Sequence, residues 1–364
     1  MPRSSTEIQE ATVFPPSPLP RTLEASFRDL GSTRWATRVS SVRDVVRHAL
    51  RNDGARTRAL PLLERLVRED LSSSVRSEAA LALADLHASD ALPTLLLAVE
   101  DDDELVRQMA ITALGEIGDP RASARLGRAL GDPRPEVRYQ AVIAFTRVAR
   151  DHGDVRDALA RAMSDADPAI RYIALRVAEE RLLEADANPM PAQSADAPPN
   201  ELPGLARAAL GDPRLVARAR EIAGSQDAAA AVAAGLYLSR LGHPDGFATV
   251  VSVVRGARRT PEVEDERACV ERAGELLLRE AIPDLERRAW GARPWVRTLL
   301  SFGRGDAAGG AWLARTALAR MGHPRACAEI LHDLDSRSRG KRTAALIAAG
   351  QAKLCSPSGP PNES

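Results

Sequence analysis

The chain has 364 residues, 44% of them apolar and only 3% aromatic, with 50 basic and 50 acidic side chains. A formal charge of zero argues against wholesale polyanion binding, and no apolar run approaches the ~18 residues of a membrane span. Cys269, Cys327 and Cys355 are odd in number and widely spaced, which suggests neither a disulfide framework nor a CxxC metal site. Only Lys341 and Lys353 are lysines; the arginines are spread along the whole chain, as codon usage in a GC-rich genome would spread them. Arg3 is not followed by an apolar h-region, so no signal peptide and a cytoplasmic location are expected.

Residues 1–21 include Phe14-Pro15-Pro16-Ser17-Pro18-Leu19-Pro20, which no helix accommodates, and are expected to form a disordered arm. Over residues 22–184 the helical period dominates. An aliphatic residue followed by Arg recurs at Val42-Arg43, Val75-Arg76, Val106-Arg107, Val137-Arg138 and Ile170-Arg171, separated by 33, 31, 31 and 33 residues. A period of that size marks stacked repeats.

Residues 101–132 show one unit in full. Asp101, Asp102 and Asp103 put negative charge at a helix start, and Val106, Ala110, Ala113, Leu114 and Ile117 follow at helical steps. Gly118-Asp119-Pro120 ends that helix, and a second stripe through Ala122, Leu126 and Leu130 is closed by Gly131-Asp132-Pro133. Neighbouring units superpose on this one. Leu62, Leu95, Leu126 and Leu159 share one position, and Ala79, Ala110, Ala141 and Ala174 share another. An Asp stands six residues before four of the arginines: Asp70 and Arg76, Asp101 and Arg107, Asp132 and Arg138, Asp165 and Arg171. Stacking is expected to bring each Asp to its own or the neighbouring unit's Arg, as a structural ladder.

Val106–Ala122 and Asp132–Val137 together spell Asp-Pro-x-x-Glu-Val-Arg-x-x-Ala-x-x-Ala-Leu-Gly-x-x-Gly-Asp-Pro-Arg-Ala. This pattern resembles the short HEAT-like repeat of the type found in phycobilin lyases. The resemblance runs from about residue 37 to 212 and is degenerate afterwards. It implies an all-α fold, an α-solenoid in which antiparallel helix pairs form a right-handed superhelix used mostly for protein–protein binding.

Residues 185–203 carry five prolines and almost no apolar bulk, and are expected to be a loop or hinge. Residues 204–354 read as degenerate repeats. The hexapeptide Ala-Leu-Gly-Asp-Pro-Arg of 129–134 returns at 209–214, while Gly242-His243-Pro244 and Gly322-His323-Pro324 stand in the manner of Gly118-Asp119-Pro120. A last helix is expected from about Lys341 to Leu354, followed by a disordered tail, 355–364.

Residues for chemistry are few. There is no His-Glu dipeptide, HExxH, CxxC, P-loop or GxSxG, so no catalytic residue, cofactor or metal is assigned. His243 and His323 read as turn residues, Cys269 and Cys327 as small core residues, and Tyr139 and Tyr172 as packing on the first-helix face. Gly303-Arg304-Gly305, Gly309-Gly310 and the basic run Ser336–Arg342 read as turns. Trp290, Trp295 and Trp312 lie among arginines, a composition found at end caps and at binding hot spots alike.

The function expected is a non-enzymatic scaffold or adaptor with a protein partner, no membrane and no favoured nucleic acid. Its contact candidates are Arg125, Arg128 and Arg161 on the second-helix face, with Trp290, Trp295 and Trp312 as a further group. Two rival readings are a phycobilin-lyase-like enzyme, which rests on the resemblance alone, and a DNA-binding helical solenoid, which needs a positive groove.

Overall fold

The computed structural model describes residues 21–187, 203–291 and 307–354, and nineteen α-helices but no strand lie among them. The expectations for residues 1–20, 188–202 and 355–364, and those for Trp295 and Gly303–Gly305, lie outside the described residues. The chain divides into two compact units, residues 1–125 and 126–364.

The first unit holds α1 (Leu23–Asp29), α2 (Trp35–Ala49), α3 (Asp53–Glu69), α4 (Ser73–Asp85), α5 (Leu92–Ala98) and α6 (Glu104–Ile117). Its first helices α2, α4 and α6 pack side by side; α3 leans on α2 and α4, and α5 on α3 and α6. The division falls inside α7 (Ser123–Ala129).

In the second unit α8 (Pro135–Val148), α10 (Pro168–Ala187), α13 (Ala228–Arg240), α15 (Val263–Glu275), α17 (Ala307–Arg320) and α19 (Arg339–Gln351) are the first helices. They pack in sequence, each on the next. Second helices are α9 (His152–Met163), α12 (Pro213–Ala223), α14 (Pro244–Arg255), α16 (Ile282–Trp290) and α18 (Pro324–Leu334). One extra helix, α11 (Pro203–Leu210), precedes α12.

Local chemistry sets the helix starts. Asn52, Asp103, Asp151 and Asp227 each accept a backbone N–H at the N-terminus of α3, α6, α9 and α13. His243 and His323 take this role for α14 and α18, their Nδ1 atoms accepting the N–H of Asp245 and Ala326. The Nε2 atom of His323 faces Glu286 Oε1 at 2.9 Å.

The ladder arginine stands four residues after the N-cap of its helix, and each half of its guanidinium has its own partner. Nη1 of Arg38, Arg76, Arg107, Arg138 and Arg171 donates at 2.8–2.9 Å to the carbonyl six residues back, in its own leading loop. The Nε–Nη2 edge reaches the next helix pair. Arg38 grips Asp70 at 2.7 Å through both nitrogens, Arg76 grips Asp101 at 2.9 and 2.8 Å, and Arg138 grips Asp165 at 2.8 and 2.9 Å. Arg171 reaches Asp227 through Nη2 alone, at 3.3 Å. Three of the receiving carboxylates also tie their own loops: Oδ1 of Asp70, Asp101 and Asp165 accepts the N–H two residues on, at 2.9 Å. The Arg138 guanidinium holds Asp165 below the ordinary carboxylate value.

The structure differs from the sequence reading in several places. In the first repeat the register is that of Arg38, not of Val42-Arg43. Arg43 is exposed and pairs with Glu78, and Leu63, not Leu62, is the buried one of those two leucines of α3. Helix α10 continues to Ala187, past the expected break at 185, because the first proline is Pro189. Helices on both sides of that break pack together, α10 on α11 and on α13, and Arg207 bonds Asp186 at 2.5 Å, so the break lies inside the second unit. Gly309 and Gly310 belong to the first turn of α17, and Arg339–Arg342 to the first turn of α19, where a turn was expected. The repeated hexapeptide serves two joints: 129–134 leads into a first helix, whereas 209–214 leads into the second helix α12.

A bidentate, largely shielded Arg–Asp pair should contribute more than an exposed one. Arg138→Ala is expected to lower unfolding stability by about 2 kcal/mol, and the double-mutant cycle with Asp165→Asn to show coupling above about 1 kcal/mol, both read by urea denaturation.

Candidate functional site

Helix α13 is built of small residues and one valine from Ala228 to Gly235, and everything from Ala230 to Ser239 is buried. Its neighbour α14 comes close enough that a Cβ on Gly246 would lie 2.2 Å from the Ser239 nitrogen, so only glycine fits there. Because α13 is low, long side chains of α10 and α15 meet across it. Glu179 of α10 accepts from Arg176 at 2.7 Å and from Arg272 of α15 at 3.0 Å, with Arg240 of α13 at 3.5 Å. Arg272 continues to Glu275 at 2.9 Å. Burial and the charge of Arg272 push Arg240 below its ordinary value.

Asp265 is the outlier of this network. It lies three residues after the N-cap of α15, the place held by Val75, Val106, Val137 and Ile170 in the regular units, and it is fully buried. Arg176 approaches its Oδ1 at 3.5 Å and the Tyr172 hydroxyl donates to the same atom at 3.4 Å, while Oδ2 is buried without a partner. Burial pushes the Asp265 carboxyl above its ordinary value, against the opposing pull of Arg176. Burial likewise raises Tyr139 and Tyr172, and lifts the Cys269 thiol far from the range of a reactive thiolate.

Beside the network lies an open groove of about 480 Å³, lined by Arg176, Glu264, Arg267, Ala268, Glu271, Trp312 and Leu313. Gly274 of α15 sits on Ala317 of α17, where a Cβ would come within 2.7 Å of the Ala317 Cα. That contact draws the two helices together and sets Trp312 and Leu313 against Arg267 and Glu271. Arg267 is held by Glu264 at 3.3 Å. A narrower recess shares Glu271 and Leu313 and extends to Arg320 and Gln351. The groove is thus amphipathic, with an indole and a leucine between charges of both signs.

The residues singled out from sequence fall into separate places. Arg125 is ion-paired with Glu100, Arg128 is engaged, and Arg161 is exposed with its guanidinium over Gly131. Trp290 is committed within the chain: its indole N–H donates to Glu329 at 3.0 Å and Arg325 stacks 4.2 Å from its ring centre. Of the two described tryptophans of that group, Trp312 lines the groove and Trp290 does not; Trp295 is outside the described residues. The groove is a first-helix feature, whereas the second-helix face was the expected contact region. Sequence reading missed Arg38, Asp227, Arg342, Glu179 and Asp265. An acid at an aliphatic repeat position was the available signal for Asp265, hidden because Asp265-Glu266 had lost the aliphatic-Arg pair that marks the register.

Among the described residues no group of three or more His, Cys, Asp or Glu is placed to hold a metal ion, and no helix is long and apolar enough to cross a membrane.

Paired helices joined through a recurrent Arg–Asp ladder define an all-α repeat protein, an α-solenoid. Residues 59–145 match the HEAT repeats family. The X-ray structure of YibA from Escherichia coli is 16% identical with a TM-score of 0.50, over 82% of this chain and 92% of that one. The complex of CpcE and CpcF of phycocyanin lyase from Nostoc sp. PCC7120 is 16% identical with a TM-score of 0.42, over 76% of this chain and 97% of that one. Human deoxyhypusine hydroxylase in complex with glycerol is 18% identical with a TM-score of 0.32, over 91% of this chain and 96% of that one. At such identity the YibA likeness bears on fold alone. No curated protein matches the sequence.

A carboxyl whose folded value is raised binds its proton more tightly in the native state, so stability falls as pH rises from its unfolded value through its folded one. The wild-type melting midpoint should therefore carry a downward component above about pH 4, and Asp265→Asn should remove it. Thermal unfolding at intervals from about pH 4 to about pH 8 tests this; parallel profiles for the two proteins would refute it.

Proposed function

We propose that the chain is a non-catalytic scaffold that holds a segment of a protein partner in the groove between α10, α15 and α17. The observation that carries this reading is the lining itself: Trp312 and Leu313 offer an apolar seat, and Arg176, Arg267, Glu264 and Glu271 surround it with both signs of charge. Trp and Arg in a recess are the residues on which binding energy concentrates, and mixed charge selects orientation more than it adds affinity. The fitting occupant is a peptide segment with one large apolar side chain flanked by an acidic and a basic residue. Glu264 and Glu271 weigh against a nucleic-acid backbone as occupant, since each would repel phosphate. A cytoplasmic setting belongs to the same proposal and is supported by the free thiols of Cys269 and Cys327.

The test is purification of the tagged chain from its native cells, with mass spectrometry of co-purifying proteins, small molecules and nucleic acid. A double variant, Glu264→Arg with Arg267→Glu, exchanges the two charges while keeping their mutual ion pair. A reproducible protein partner is expected, with recovery reduced at least about tenfold by the exchange at an unchanged melting midpoint. Recovery unaffected by the exchange, or recovery of a pigment or nucleic acid with no protein partner, would overturn the proposal.

A further inference from the structure

The register of the ladder leaves one first helix unfilled. Ser338 is the N-cap of α19, and Arg342 stands four residues on, in the place of Arg38, Arg76, Arg107, Arg138 and Arg171. Its Nη1 donates to the Ser336 carbonyl at 2.7 Å, the same bond to its own loop that the other five make. Among the described residues, no carboxylate meets the Nε–Nη2 edge of Arg342.

The apolar half of the joint is open on the same face. Leu346 is eight residues after its N-cap, one helical turn beyond Arg342. At that position Val42, Ala80, Ile111, Val142, Leu175 and Val270 are only 0–4% exposed, whereas Leu346 is 68% exposed and the adjacent Ile347 58%. Every regular first helix covers this place; α19 presents it to solvent, with the polar hook beside it.

What would fill it is set by charge and register. Arg337, Arg339, Lys341 and Arg342 make the edge basic, so the complement is acidic. A second copy laid face to face would oppose the same four cations, and its first ladder loop has Ser32 where the carboxylate is needed. Residues 355–364, Cys-Ser-Pro-Ser-Gly-Pro-Pro-Asn-Glu-Ser, contain no apolar stripe from which to build a helix.

We propose that the face of α19 bearing Arg342, Leu346 and Ile347 is a joining surface for a helix pair of the same repeat type carried by a partner chain. That pair enters by a loop with an aspartate two residues before its helix cap. The aspartate takes the free edge of Arg342, and the apolar stripe of the partner's first helix covers Leu346 and Ile347. This surface is separate from the groove of the scaffold proposal, and neither reading depends on the other.

Two experiments on the full chain decide it. In the first, a second copy of residues 150–184 follows Leu354, supplying a second helix, the Asp165 loop and a first helix in the order found after α8. The melting midpoint is expected to rise by about 3 °C or more, and the rise to vanish with Asp165→Asn in the added copy or with Arg342→Ala. No rise, or one indifferent to both changes, overturns the proposal. In the second, a photo-reactive phenylalanine replaces Ile347 in native cells. A cross-link to a helical-repeat chain through an aspartate-bearing loop, lost with Arg342→Glu, supports it. A cross-link to a second copy, within the same chain or to a protein without such a helix pair, or no cross-link at all, overturns it.

Discussion

One guanidinium with two jobs keeps successive helix pairs of this protein in register. Its Nη1 fastens the loop that leads into its own helix, and its other edge fastens the loop of the next pair. The dependence is physical. The core is thin and rich in alanine and leucine, which pack closely but specify position weakly, because small smooth side chains interlock little. A planar fork that must meet a carboxylate through two nitrogens tolerates almost no sliding. Packing supplies the attraction between pairs, and the fork supplies the register.

The fork has its last regular partner at Asp227, since the corresponding positions of α13 and α15 are Ala231 and Glu266. There the stacking is held differently. The alanines of α13 let α10 and α15 reach over it, and Glu179 gathers Arg176, Arg240 and Arg272 at one point. Buried ions of this kind add little net stability, because desolvation offsets much of the attraction, yet a mismatched neighbour would strand them unpaired. The same departure opens the groove: with charge on α10 and α15 and a glycine contact between α15 and α17, the first-helix row acquires a recess beside Trp312.

How much of this the amino-acid sequence disclosed depended on how closely each unit kept to the pattern. The helix-pair repeat and the positions of Asp101, Asp132 and Asp165 were legible, because each unit restated them at one spacing. Which partner each Asp would take was not, since an offset of six residues is compatible with contact inside a unit or between units. The first repeat was misregistered by five residues, because Val42-Arg43 imitates the pair while Thr37-Arg38 does not. The groove was illegible for a further reason. Arg176, Arg267 and Trp312 come from three helices far apart in sequence, and nothing local to any of them announces the others. His243 and His323 show the reverse, where a change of residue type preserved the role, since an imidazole nitrogen accepts the same backbone N–H as an aspartate oxygen.

The loop that carries the ladder aspartate has a consequence for how such a chain changes over generations. Asp70, Asp101, Asp132 and Asp165 each stand six residues before their arginine, while the distance between successive ladder arginines varies: 38 residues from Arg38 to Arg76, 31 from Arg76 to Arg107, and 33 from Arg138 to Arg171. Length is therefore free to drift in the second helices and their turns, where a gained or lost residue leaves the fork undisturbed. Inside the six-residue span a single insertion would break the loop bond and the bond between pairs together. The chain is divided into segments that tolerate editing and short couplings that do not, and the couplings are interchangeable. A helix pair duplicated or exchanged with its own coupling arrives already able to be joined at both ends.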